Sequence, residues 1–183
     1  MSQTAPKPSL PSLPVVPRDE WEQHPHFRTQ TLLLGSHDGF REVSQHLIAA
    51  ARGDTSDTLI GAIYFRWVSG MRSHEAYEEH KLYPYLAHRW GADFSAAEAG
   101  HHALHEADRE VRRALLHVVE PGSPDREVLA DALVAHDQAL VPHLRLEEDL
   151  VIPLLLELSP REFSRLTSLP IEALIPDDAS AGG

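Results

Sequence analysis

The sequence predicts an all-α protein, an up-down four-helix bundle with a Pro-rich N-terminal arm and a short C-terminal fifth helix. Three observations carry this expectation. Apolar residues recur at helical spacing through four long segments. Helix start and stop signals separate those segments. No stretch shows the sustained alternation of a strand.

The elements follow in order. Residues 1–26 form the arm, with Pro6, Pro8, Pro11, Pro14 and Pro17 giving its first part a disordered or polyproline-like character. Residues 27–158 form the bundle. Its first helix is expected over about 27–52, ending at Gly53, and its second over about 57–90, with Pro84 kinking or ending the last turns before Gly91. Ser95 with Glu98 three residues later reads as a capping box opening the third helix, which ends before Pro121-Gly122. Ser123-Pro124-Asp125 supplies a cap, a Pro at the first helical position and an acid in the first turn. The fourth helix should run from there to Leu158, bent at Pro142. Within residues 159–183, Ser159-Pro160-Arg161-Glu162 opens the short fifth helix, and a frayed tail begins at Asp177.

Composition narrows the function. The chain has 183 residues, enough for one domain with a substantial core. A formal charge of −12 argues against nucleic-acid or anionic-membrane partners, which need clustered Lys and Arg. Without cysteine there is no disulfide, no protein-thiolate iron–sulfur site and no thiol mechanism. A metal would have nitrogen and oxygen ligands, which suit iron, manganese or zinc. No apolar run nears the roughly 20 residues of a membrane span, and no signal-peptide core is present, so a cytoplasmic protein is expected. The 13 histidines stand out.

Two segments repeat each other around a His and a carboxylate pair. His74 is followed by Glu78, Glu79 and Pro84, and His143 by Glu147, Glu148 and Pro153, at the same offsets. Residues four apart sit about 40° apart around a helix, so each His and its first Glu point the same way. Ile60, Ile63, Trp67, Met71, His74, Glu78 and Tyr85 share one stripe. Leu129, Leu133, His136, Leu140, His143, Glu147, Leu150 and Leu154 share another. A Glu within a leucine-rich stripe is costly unless it is paired or coordinated. His37 faces inward on the first helix and His46 faces away. On the third, His101 lies near the edge of the apolar stripe, His105 further round and His102 outside.

Each residue also has a structural reading: His37 as a hydrogen-bonded core histidine, Glu79 as solvated surface, His101 and His105 as an exposed polar face. His136 reads as core or as a neighbour of the site, and Trp67, Tyr77 and Tyr85 as packing. The joint pattern decides for a metal site, because every helix carries a His in phase and two of them add a Glu four residues on.

His37, His74-x-x-x-Glu78, His101-x-x-x-His105, and His143 with its acidic pair resemble the hemerythrin-like, or HHE cation-binding, domain over roughly residues 37–158. The resemblance implies a non-haem di-iron centre, two irons joined by two carboxylates and an oxo or hydroxo bridge. The implied ligands are His37, His74, Glu78, His101, His105, His143 and either Glu147 or Glu148. Oxygen carriers of that family place the last carboxylate five residues after its His, which is Glu148 here. Iron-sensing and repair members place it four after, which is Glu147. Helical phase prefers Glu147, and Glu148 would turn inward only through a local widening of the helix such as a π-bulge.

The cysteine-bearing segment of the repair members is missing. A ferritin-like site needs Glu-x-x-His on two helices, whereas only Glu98-Ala-Gly-His101 has that spacing. A single zinc ion would leave ligands over, since two carboxylates and four or five His exceed its usual four.

The expected ligand is a small diatomic or a peroxide: O₂, H₂O₂ or NO. Consumption of peroxide or NO is favoured. Gln30, Arg41 and Ser44 share the His37 face, too polar a setting for stable reversible O₂ binding. Oxygen binding or sensing and iron storage without turnover are the alternatives, and a free-standing bundle suits an enzyme or binder better than a sensor. A monomer or weak homo-oligomer is expected.

Overall fold

The computed structural model describes residue 13 and residues 15–117 and 124–175. All regular elements among them are helical. A 3-10 helix (Arg18–Gln23) and a short α1 (Phe27–Gln30) precede α2 (Leu32–Arg52). Then come α3 (Asp57–Tyr77), a π-helical turn (Glu78–Leu82) and α4 (Tyr83–Trp90). They are followed by α5 (Ser95–His117), α6 (Pro124–Leu156), α7 (Pro160–Ser168) and α8 (Ile171–Leu174). The helix α6 packs along both α2 and α5, while α3 packs against α2 and α5. No helix among the described residues is long and apolar enough to cross a membrane.

Several boundaries differ from expectation for identifiable reasons. The first long helix is interrupted at Thr31, whose hydroxyl donates to the Phe27 carbonyl that its own N–H also uses. Such side-chain competition loosens a helix at a β-branched residue. Pro84 does not end the second helix. Lacking an N–H, it cannot complete the normal ladder; the turn before it widens, and Tyr83 donates five residues back to Glu78. The helix then stops at Gly91, whose φ of 70° is the left-handed conformation that glycine adopts without penalty.

Ser95 does not form the expected capping box. The Phe94 carbonyl already accepts from Ala97 and Glu98, so Ser95 lies inside the first turn and Asp93 accepts its N–H at 2.9 Å. Ser159 and Glu162 do form one, at the start of α7. Pro142 and Pro153 lie inside a continuous α6, which ends at Leu156 rather than Leu158. The expected stop before Pro121-Gly122 and the cap at Ser123 fall outside the described residues, as do residues 1–12, Pro14 and the tail from Asp177.

The described residues before α1 pack onto α6. Trp21 is buried against Ile152 and Leu156 on α6, and its indole N–H donates to the Val16 carbonyl at 2.8 Å. Full burial of a large apolar side chain is worth roughly 1.5–3 kcal/mol, enough to hold a short turn in place.

Besides the Trp21 cluster, two larger apolar clusters fill the interior. One contains Leu47, Ile60, Tyr64, Leu104, Leu133 and Leu140; the other contains Leu33, Leu82, Leu86, Ala97, Leu154 and Leu158. Each long helix passes from one cluster to the other, and its histidine lies at the crossing: His37 after Leu33, His74 before Leu82, His101 between Ala97 and Leu104, His143 after Leu140. The fold thus places a polar layer between two dry ones. Ile63, expected on the inner stripe, is instead 39% exposed.

Candidate metal centre

Six buried or nearly buried side chains meet in that layer as two triads. His37, His74 and Glu78 form one; His101, His143 and Glu147 form the other. Within each triad, one donor atom per residue lies within 4.8 Å of the others. The His37 and His74 Nε2 atoms face each other at 3.0 Å. On the other side, His101 Nε2 and His143 Nε2 lie 2.9 and 3.2 Å from Glu147 Oε1.

Both carboxylates span the two triads. Glu78 directs Oε1 toward His74 Nε2 at 3.2 Å and Oε2 toward His101 Nε2 at 3.5 Å. Glu147 directs Oε1 toward His101 and His143, and Oε2 toward His37 Nε2 at 3.7 Å. Each triad therefore sees two imidazole nitrogens and one oxygen from each Glu. Glu78 is fully buried, yet neither of its oxygens has a hydrogen-bond partner. A carboxylate left that way is expensive, and a cation between the nitrogens and oxygens removes the penalty. The donor set fits a borderline metal such as iron.

The outward nitrogens are held separately. His37 Nδ1 lies 3.2 Å from Glu148 Oε1, and His101 Nδ1 lies 2.8 Å from Glu79 Oε1. A carboxylate that accepts from Nδ1–H fixes the ring and leaves Nε2 as the ligand atom. Burial opposes a charged His101, but hydrogen bonds with Glu147 and Glu79 and the nearby Glu78 carboxylate outweigh it and push its pKa up to about 11. Burial also works against ionised Glu147, and its bonds with His101, His143 and Tyr83 hold its carboxyl well below the usual carboxylate range.

Glu148 is buried without any widening of α6, contrary to the expectation that a π-bulge would be required. Its length carries it sideways to His37, and two arginines compensate its charge: Arg41 Nη2 at 2.6 Å and Arg18 Nη1 at 2.9 Å. These contacts bring its carboxyl down to about 2 despite burial. Arg18 comes from the arm, where it also pairs with Asp149 and lies over the Trp21 ring.

His105 stands apart from both triads. Its Nε2 lies 2.8 Å from Glu75 Oε2 and its side chain is 32% exposed, because it sits further round α5 than His101. His102 and His46 are exposed, as phase predicted. His136 is core: it packs beside Trp67 with neither ring nitrogen partnered. Gln30 donates to the Leu158 carbonyl and Ser44 to Asp137.

Three contributors escaped the sequence reading. Glu79, expected as solvated surface, is 35% exposed but also reaches His101 Nδ1 from within the π-helical turn. Tyr83 donates its hydroxyl proton to Glu147 Oε1 at 2.5 Å. Burial, then the neighbouring Glu78 and Glu147 charges, raises its pKa far above the ordinary phenol range, so the proton stays on. Gly100 lets α5 lie against His143; a Cβ there would stand 2.1 Å from His143 Nδ1. Its signal was available, since a glycine inside a long helix costs about 1 kcal/mol without a packing reason.

The family description "Hemerythrin HHE cation binding domain" matches residues 28–155, which include every residue of both triads. No curated protein and no solved structure gave a match.

Proposed function

The chain belongs to the hemerythrin HHE cation-binding domain family, and on that premise we propose that it holds two iron ions and consumes peroxide or nitric oxide. The observation that carries the two-ion reading is the pair of spanning carboxylates, each offering one oxygen to each triad. The scaffold in this reading is an up-down four-helix arrangement of α2, α3–α4, α5 and α6.

Such a pair of ions supplies exchangeable coordination positions and two one-electron redox steps to a diatomic or peroxide ligand. His37 and His74 hold one ion, His101 and His143 the other, and Glu78 and Glu147 join them. Among the described residues no fifth His joins the triads. Two imidazoles and two carboxylate oxygens leave each ion short of six ligands. This spare capacity favours reaction over storage.

The remaining side chains hold that arrangement. Tyr83 keeps its proton on Oη and steadies Glu147 Oε1. Glu79 and Glu148 orient His101 and His37 through Nδ1. Arg41 and Arg18 place positive charge beside Glu148, near the His37 side. A ligand approaching that side would meet ionic neighbours rather than a dry, uniformly apolar pocket.

Stopped-flow mixing of the reduced, iron-loaded protein with H₂O₂, NO and O₂ in turn tests the proposal. Oxidation by H₂O₂ or NO is expected, and it should be lost in His74→Ala and Glu78→Ala. A long-lived oxygen adduct released intact under vacuum would mark a carrier instead, and no reaction with any of the three would leave storage.

A further inference from the structure

An apolar cleft leads from the surface to His74. Leu33 on α2, Leu82 in the π-helical turn, Leu155 on α6 and Phe163 and Leu166 on α7 form its walls. Ser36 and Thr167 stand at its edge and are exposed. His74 belongs to this lining, and it is the most accessible of the six triad residues. Its side chain is 14% exposed, whereas those of His37, Glu78, His101, His143 and Glu147 are exposed by 4% or less. Among the described residues, the cleft is therefore an open approach to the polar layer.

Its size and chemistry exceed what a diatomic or hydrogen peroxide requires. The free volume is about 210 Å³, room for roughly seven groups the size of a water molecule. The five apolar side chains suit a short hydrocarbon body, while Gln30, Tyr77 and His74 in the same lining offer polar groups to a hydroperoxide end. Resting on the proposed reaction with peroxides, we propose that this cleft binds small alkyl hydroperoxides. The alkyl group lies among Leu33, Leu155 and Phe163, and the O–O–H end points to the His74 side. The reaction balances without further reagents in a single turnover. The hydroperoxide R–O–O–H takes one electron from each of two ferrous ions and two protons from solvent, its O–O bond breaks, and R–OH and water leave.

The cleft is tested first on the metal-free full chain, by methyl NMR during titration with tert-butanol, the product of one such peroxide. Saturable shifts of the Leu33 and Leu155 methyls are expected, and they should disappear in Ser36→Trp and Thr167→Trp, which fill the mouth from exposed positions. The reduced, iron-loaded chain is then mixed with tert-butyl hydroperoxide and with H₂O₂. The ratio of the two rates should fall at least tenfold in Thr167→Trp. Absence of saturable shifts, or an unchanged ratio in a folded variant of equal iron content, would overturn the proposal. The titration uses no iron, so a chain that bound none would sink the di-iron reading while the cleft was still judged by its own result.

Discussion

Replacing Gly100 with Ala would put a methyl group where α5 leaves room only for the His143 ring. The new Cβ would stand 2.1 Å from Nδ1, 2.8 Å from Cε1 and 3.0 Å from Cγ. Ordinary contact begins near 3.4 Å, so the ring must retreat by about 1.3 Å. A site has to hold its groups within about 0.5 Å to work. The ring has little freedom to retreat, being buried and edge-on to His101 at 4.8 Å between centroids.

On an open helix this substitution stabilises by about 1 kcal/mol, whereas overpacking a core costs about 1–3 kcal/mol. The metal-free protein should consequently lose no more than about 2 kcal/mol. Iron binding should suffer more, because one of four imidazoles is displaced; weakening by about tenfold to a hundredfold is expected, the range seen when ligand orientation is disturbed. Chelator competition gives the affinity, and denaturation of the metal-free protein gives the stability. Iron held as tightly as in the parent would refute the claim that the α5–α6 approach positions His143.

Three further outcomes follow from the same geometry. Glu147→Ala should lose iron, while Glu148→Ala should retain it with affinity lowered by about tenfold; metal analysis giving the reverse would make Glu148 the bridging carboxylate. His105→Ala should leave iron content as in the parent, since His105 lies on Glu75, and loss of iron would show that the ring swings into the site. Burial holds His136 down at a pKa of about 4, against 6.5 when free. The unfolded chain takes up that proton first, so stability falls as pH drops from about 6.5 toward 4. Metal-free protein should lose about 2 kcal/mol through this group between pH 7 and pH 5. Denaturation of His136→Leu should show a slope shallower by that amount, and an unchanged slope would contradict it.

Periodicity made the helices legible, because a helix that buries one stripe must repeat its apolar residues at that spacing. It also located His37, His74, Glu78, His143 and Glu147, each in phase with its own stripe. The readings that failed involve geometry that a regular helical wheel omits. Glu79 lies within the π-helical turn before Pro84 and reaches His101 from there, although its side chain stays 35% exposed. The inward reach of Glu148 depends on Arg41 and on Arg18, both more than a hundred residues away, and local pattern does not register such charge compensation. Tyr83 touches Glu147 across 64 positions of chain. His105, further round α5 than His101 by phase and a ligand only by the family resemblance, faces Glu75 and solvent.

Iron content of the purified, iron-replete protein, measured together with its near-ultraviolet spectrum, bears most directly on the two-ion centre. About two irons per chain are expected, with oxo-to-iron absorption bands, and loss of both ions in Glu78→Ala because that carboxylate serves both triads. A single bound zinc without those bands, or a Glu78→Ala protein that keeps both irons, would contradict it.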